Sequence, residues 1–110
     1  MKVAIAVMPD GSRIYPGPFG HSPAYAIYEK TGEAWRRLEL RTNPHADFVG
    51  QGKRERMLAL LADTELWVGA RFGNRHGPPV PHRAIQARTV DEALARLVAE
   101  SAPKEDGGGA

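Results

Sequence analysis

"VAIAVM", residues 3–8, strings six apolar side chains together and stops at Pro9-Asp10-Gly11, a turn signal. A strand with one wet face alternates apolar and polar residues, whereas a strand covered on both faces reads as an unbroken apolar run. The opening stretch therefore reads as a buried strand with a layer packed on each side. A second run of the same kind, "ELWVGA" at 65–70, supplies another buried strand.

The rest of the chain fits around these two. "AYAIYEK" (24–30) is rich in β-formers and stops at Thr31-Gly32, a hairpin turn. "EAWRRLELRTN" (33–43) then sets Ala34, Leu38 and Leu40 on one face and Trp35, Arg37, Glu39 and Arg41 on the other, as suits a strand near a sheet edge. Asn43-Pro44 opens the loop "NPHADFVGQG". From Lys53 the period changes: Met57, Leu58, Leu61 and Ala62 share one helical face, which predicts a helix of about three turns over "KRERMLALLAD". The irregular "RFGNRHGPPVPHR" follows the second buried strand, and "AIQAR" (84–88) reads as a last short strand. Thr89 and Glu92 form a capping box, and Val90, Ala93, Leu94, Leu97 and Val98 recur at helical spacing.

The order β, β-hairpin, α, β, irregular segment, β, α predicts an α/β three-layer sandwich around a mixed sheet of about five strands. One domain is expected over residues 1–100, followed by a disordered, solvated tail over 101–110, "SAPKEDGGGA".

Bulk properties bound the function. At 110 residues, with 42% hydrophobic and 25% charged side chains, the chain has the size and composition of one ordinary globular domain. No apolar run is long enough to span a bilayer, and Pro9-Asp10-Gly11 arrives too early for a signal peptide. With no cysteine there is no disulfide framework and no thiolate ligand, so a cytoplasmic protein without a membrane partner is expected. A net charge of +2 falls short of the dense basic stripe that nucleic acid requires.

In open α/β sheets, ligands bind beyond the carboxyl ends of the strands. The first buried strand feeds "IYPGPFGHSP" (14–23), and the second feeds Arg71-Phe72-Gly73-Asn74-Arg75-His76-Gly77. If the two strands are neighbours, Phe19, Gly20, His21, Arg71, Gly73 and His76 share one rim. The plainer alternative is a pair of turns whose aromatics cap the core. "GQGKRER" (50–56) adds Lys53, Arg54 and Arg56 in a first helical turn, where the helix dipole disfavours each cation by roughly 0.3–1 kcal/mol. An anion over the free amides would reverse that cost; cations bending away into water would avoid it.

Catalytic arrangements are sparse. None of the four histidines forms an i,i+4 pair or an HExxH pattern, so no closed zinc site is expected, and His21 is the best placed as a ligand. The first strand holds no carboxylate, which argues against two-metal nuclease chemistry. Ser12 and Ser22 lack a nucleophile-elbow context. The residues point to binding rather than turnover.

Taken together, "MKVAIAV…FGHSPAYAIYE", "VGQGKRERMLALLAD", "ELWVGARFG" and "TVDEALARL" resemble the dinitrogenase iron–molybdenum cofactor biosynthesis family, the nitrogenase accessory-factor domains, over residues 2–100. The resemblance implies a ribonuclease H-like motif without that fold's catalytic carboxylates. It implies a non-catalytic carrier for an iron–sulfur or iron–molybdenum-type cluster or its precursor, working with cofactor-assembly proteins. The family's usual histidine before the Phe-Gly is Pro18 here, leaving His21 as the metal-ligand candidate. Phe19, Gly20, Lys53, Arg71, Gly73 and His76 are expected around an anionic cluster. Pro78, Pro79 and Pro81 fall where the family places a helix, which predicts that this helix is shortened or lost. The rival reading is an interaction module of the same fold that has lost its cluster.

Overall fold

The computed structural model describes residues 1–73 and 78–101. Five strands, β1 (Lys2–Val7), β2 (Ala24–Thr31), β3 (Ala34–Thr42), β4 (Leu66–Gly69) and β5 (His82–Ala84), form one mixed sheet in the order β3-β2-β1-β4-β5. The β1–β2 and β2–β3 pairs are antiparallel, while β1–β4 and β4–β5 are parallel. With α1 (Lys53–Leu60) and α2 (Val90–Ser101) on opposite faces, the sheet forms the middle of a three-layer α/β sandwich.

The apolar run of β1 serves two cores at once. Successive side chains of a strand point to opposite faces. Val3, Ile5 and Val7 pack with Val68, Ile85 and, from α2, Val90, Ala93 and Leu97. Ala4 and Ala6 face the other way, against Phe19, Tyr25, Ile27, Trp67, Met57 of α1 and Leu61 at its C-cap. Residues 3–7 of β1 have no solvent exposure at all.

α2 begins as its capping pattern dictates. Thr89 Oγ1 accepts from the Glu92 N–H at 3.2 Å, and the Glu92 carboxylate reaches back to the Arg88 N–H at 2.8 Å. The first bond satisfies a donor that the helix start otherwise leaves open, while the second ties Glu92 to the residue before the cap.

Three elements depart from the sequence expectation, each for a local reason. In the hairpin, Gly32 takes the left-handed turn at φ +64°. A bulge then skips Leu38, so Ile27 pairs with Glu39 and Tyr28 with Arg37. The extra residue reverses the alternation. Trp35, Arg37 and Leu40 therefore share the α2 face, and Trp35 packs on that core instead of opposing Leu40.

α1 is shorter than three turns. Its ladder ends at Leu60, and the chain tightens into a turn in which Thr64 donates both its N–H (3.0 Å) and its hydroxyl (2.7 Å) to the Leu61 carbonyl. Ala62, expected on the apolar face, is consequently exposed.

The last strand starts earlier than 84–88. Trp67 N–H donates to the Pro81 carbonyl at 3.0 Å and Ile85 N–H to the Gly69 carbonyl at 2.8 Å, which sets the ladder at His82–Ala84. Beyond Gly69 there is no further β4 to pair with. Arg88 instead accepts from Ile14 N–H at 2.8 Å. Residues 78–81 carry no helix, in line with their prolines. The expected tail from residue 102 onward lies outside the described residues; Ser101 closes α2.

Candidate functional site

The loop leaving β1 returns across the end of β4. Pro18 forms a parallel bridge with Arg71, and Phe19 N–H donates to the Arg71 carbonyl at 2.9 Å. The adjacency proposed from sequence, with residues near 20 beside residues near 72, is present. Pro18 sits at φ −63°, ψ 140°, an extended geometry that proline pre-sets. Phe19-Gly20-His21 then turn as one 3-10 helical turn, closed by His21 N–H on the Pro18 carbonyl at 3.0 Å.

Phe19 anchors this turn from below. It is 2% exposed, its ring lying 5.0 Å from Trp67, 5.0 Å from Phe72 and 4.9 Å from Tyr25, centroid to centroid. Gly69 makes room for it, since a Cβ there would come within 3.0 Å of Phe19 Cδ1. The ring belongs to the core as well as to the cleft floor.

Buried polar groups hold the turn from behind. Tyr25 donates its hydroxyl to the Phe19 carbonyl at 2.6 Å, and burial pushes its phenol above the usual value, so it stays a donor. Asn43 Nδ2 faces the carbonyls of Ser22 (2.9 Å) and Gly20 (3.2 Å) and the Tyr25 hydroxyl (3.3 Å), while Oδ1 accepts from His45 N–H at 2.9 Å. The Ser22 hydroxyl lies 3.0 Å from the Val7 carbonyl and 2.8 Å from that of Ala24. Sequence reading missed Tyr25, Ser22 and Asn43 as supports. The available signal was a polar Asn at the very end of a strand pattern, read there only as the start of a turn.

This frame presents the His21 imidazole. Its Nδ1 lies 2.7 Å from the Ala46 carbonyl oxygen, which can only accept, so Nδ1 carries the proton and Nε2 keeps the lone pair when the ring is neutral. A cleft of about 630 Å³ opens beside it, bounded by the Pro18–His21 turn, the start of α1 and Gly73, and floored by Met57, Trp67 and Phe72. That volume lies within the usual range for small-molecule sites.

The cations around the cleft divide. Lys53 lines it, yet its ammonium donates to the carbonyls of His45 (2.5 Å) and Phe48 (3.1 Å), and desolvation holds its pKa below the usual lysine value. Lys53 thus fastens the His45–Phe48 loop to α1. Arg56 stacks on the Phe48 ring at 4.0 Å instead of crowding the helix start. Arg54 lines the cleft, together with Glu55.

Of the residues expected around the anionic cluster, Phe19, Gly20, His21, Lys53 and Gly73 line this cleft. Arg71 does not. Alternation turns the neighbouring Phe72 toward Phe19, and Arg71 lines a different depression on the α2 face. His76 lies outside the described residues. Among the described residues, no group of three His, Cys, Asp or Glu side chains could enclose a metal ion. No helix among them is long and apolar enough to cross a membrane.

No family model matches the chain, and no curated protein matches it. Its fold does match a solution structure from Thermotoga, that of a provisionally assigned NifB protein described as belonging to the DUF35 family. The two chains are 19% identical, the match covers 91% of this chain and 88% of that one, and the TM-score is 0.64. At that level of identity, the likeness establishes a shared fold.

Proposed function

We propose that this domain is a non-catalytic carrier that holds a preassembled, anionic metallocluster of the iron–sulfur or iron–molybdenum type, or a precursor of one, in the cleft beside His21. The observation that carries this reading is the 2.7 Å contact between His21 Nδ1 and the Ala46 carbonyl. A ring nitrogen fixed in this way orients the imidazole and leaves the other nitrogen as the ligating atom.

The donor set suits cargo that arrives complete. The chain has no thiolate, and the described residues offer no three-ligand cage. A finished cluster brings its own sulfides and needs few protein ligands. Arg54 and the N-terminal amides of α1 supply positive potential on the far wall. β1 contains no carboxylate, which supports a carrier over a nuclease. The resemblance read from the sequence favours an accessory role in cofactor assembly in company with assembly proteins, the Thermotoga neighbour's NifB assignment agrees with such a role, and the cysteine-free composition favours the cytoplasm.

A second reading, an interaction module that has lost the cluster, draws on two facts: Pro18 stands where the resembled family has its histidine, and the Lys53 ammonium serves the loop rather than the cleft. Anaerobic titration with a synthetic four-iron four-sulfur cluster, followed by its visible absorbance, separates the two. The carrier reading predicts saturable binding that weakens about tenfold or more in His21→Ala. Absence of binding favours the module, and equal binding by the variant refutes His21 as the ligand.

A further inference from the structure

The α2 face of the sheet carries a second depression, of about 540 Å³, that the carrier reading does not use. Three arginines line it: Arg13 from the loop after β1, Arg71 from just past β4 and Arg88 from the approach to α2. Its walls include Ile14 and Ile85, both nearly buried, and Met8.

The three segments are locked together through their backbones. Arg13 and Thr89 form an antiparallel bridge, Ile14 N–H donates to the Arg88 carbonyl at 2.8 Å, and Val90 N–H donates to the Ser12 carbonyl at 2.8 Å. Arg71 is held by its bridge to Pro18. The bases of all three side chains are therefore fixed before any ligand arrives, which lowers the cost of binding.

Charge compensation is incomplete. Arg13 pairs with Asp10, Nε to Oδ2 at 2.9 Å, while neither Arg71 nor Arg88 forms an ion pair among the described residues. Glu92 is turned to the Arg88 N–H. An excess of like charge over an apolar floor is an arrangement that an anion with an organic body completes. Guanidinium forks match the planar oxygens of phosphate and carboxylate groups.

We infer that this cleft binds a small organic oxyanion, phosphate or carboxylate, whose charged group bridges Arg71 and Arg88 and whose apolar portion rests on Ile14 and Ile85. The site lies on the opposite face of the sheet from His21 and is independent of cluster carriage.

Calorimetric titration of the full chain at low salt with phenyl phosphate, and separately with phenylacetate, tests it. Saturable 1:1 binding is expected in at least one arm, and the stronger arm identifies the oxyanion. Affinity should fall with added salt, drop about tenfold or more in Arg71→Gln/Arg88→Gln, and stay unchanged in His21→Ala. Should the double variant fail to fold, the single Arg88→Glu carries the same expectation. Lack of saturation in both arms, undiminished binding by the arginine variants, or loss of binding in His21→Ala would overturn the inference.

Discussion

Removing the Asn43 side chain should loosen the candidate site and the fold together. Asn43 is 5% exposed, and its two amide hydrogens serve three acceptors: Ser22 O at 2.9 Å, Gly20 O at 3.2 Å and Tyr25 Oη at 3.3 Å. Its Oδ1 accepts a fourth contact, His45 N–H at 2.9 Å. In Asn43→Ala about three hydrogen bonds vanish at once, each contributing roughly 0.5–1.5 kcal/mol net. The buried Ser22 carbonyl and the His45 N–H lose this partner, so the expected loss is about 2–4 kcal/mol. Urea unfolding followed by far-UV circular dichroism measures it, with an unchanged m-value indicating that the compactness of the end states is preserved. Asn43→Asp is a sharper companion. It keeps the acceptor for His45 but aims a carboxylate at the Ser22 and Gly20 carbonyls, so at neutral pH it should be at least as destabilising. A loss below about 1 kcal/mol in Asn43→Ala would mean that the Phe19–His21 turn stands without this clamp, and the reasoning would fail.

Other positions give independent checks. Gly69→Ala places a Cβ 3.0 Å from Phe19 Cδ1, in a ring stack with little slack, and should cost about 1–3 kcal/mol in chemical unfolding. Thr89→Ala removes the cap on Glu92 N–H and should cost about 1 kcal/mol, read as a lower melting temperature. The Arg41 guanidinium, hydrogen-bonded to Asp63, holds that carboxyl at about 2 against a usual 3.8. Because the folded value is depressed, this stabilisation is complete above about pH 4 and is lost as pH falls through about 2. Asp63 is 43% exposed at its side chain, so the effect is below about 1 kcal/mol, and Asp63→Asn should flatten the stability curve in that window only slightly. Asp10, held at about 2 by the Ser12 N–H and by Arg13, keeps its own slope in that variant.

The layered sheet was legible because residues 3–7 of β1 and 66–69 of β4 are short, wholly apolar runs. Period-2 burial on two faces leaves such a run no polar position. The Thr89–Glu92 cap and the Gly32 turn were equally legible, since each rests on chemistry within four residues. The bulge at Leu38 was not, because it depends on which residue of the partner strand takes the ladder bond. Nor was the start of β5 at His82, which is set by where β4 runs out. At the site, the Pro18–Arg71 juxtaposition followed from strand adjacency. The direction of Arg71 did not, because one step along the chain moves a side chain to the other face. Lys53 looked like an anion contact from its place in the first helical turn. Its ammonium instead meets the carbonyls of His45 and Phe48, supplied by a loop fold that the residue order alone does not reveal.

The proposed carrier holds the cluster's metal through one imidazole nitrogen, His21 Nε2. Electron spin-echo spectroscopy of the reduced, cluster-loaded protein reads that bond directly, through the magnetic coupling between the cluster and a ligating nitrogen. Labelling the histidines with nitrogen-15 should change the modulation in the wild type, and the coupling should be missing in His21→Ala. A loaded wild-type protein without any histidine coupling, or one whose coupling persists in His21→Ala, would rule out His21 as the ligand.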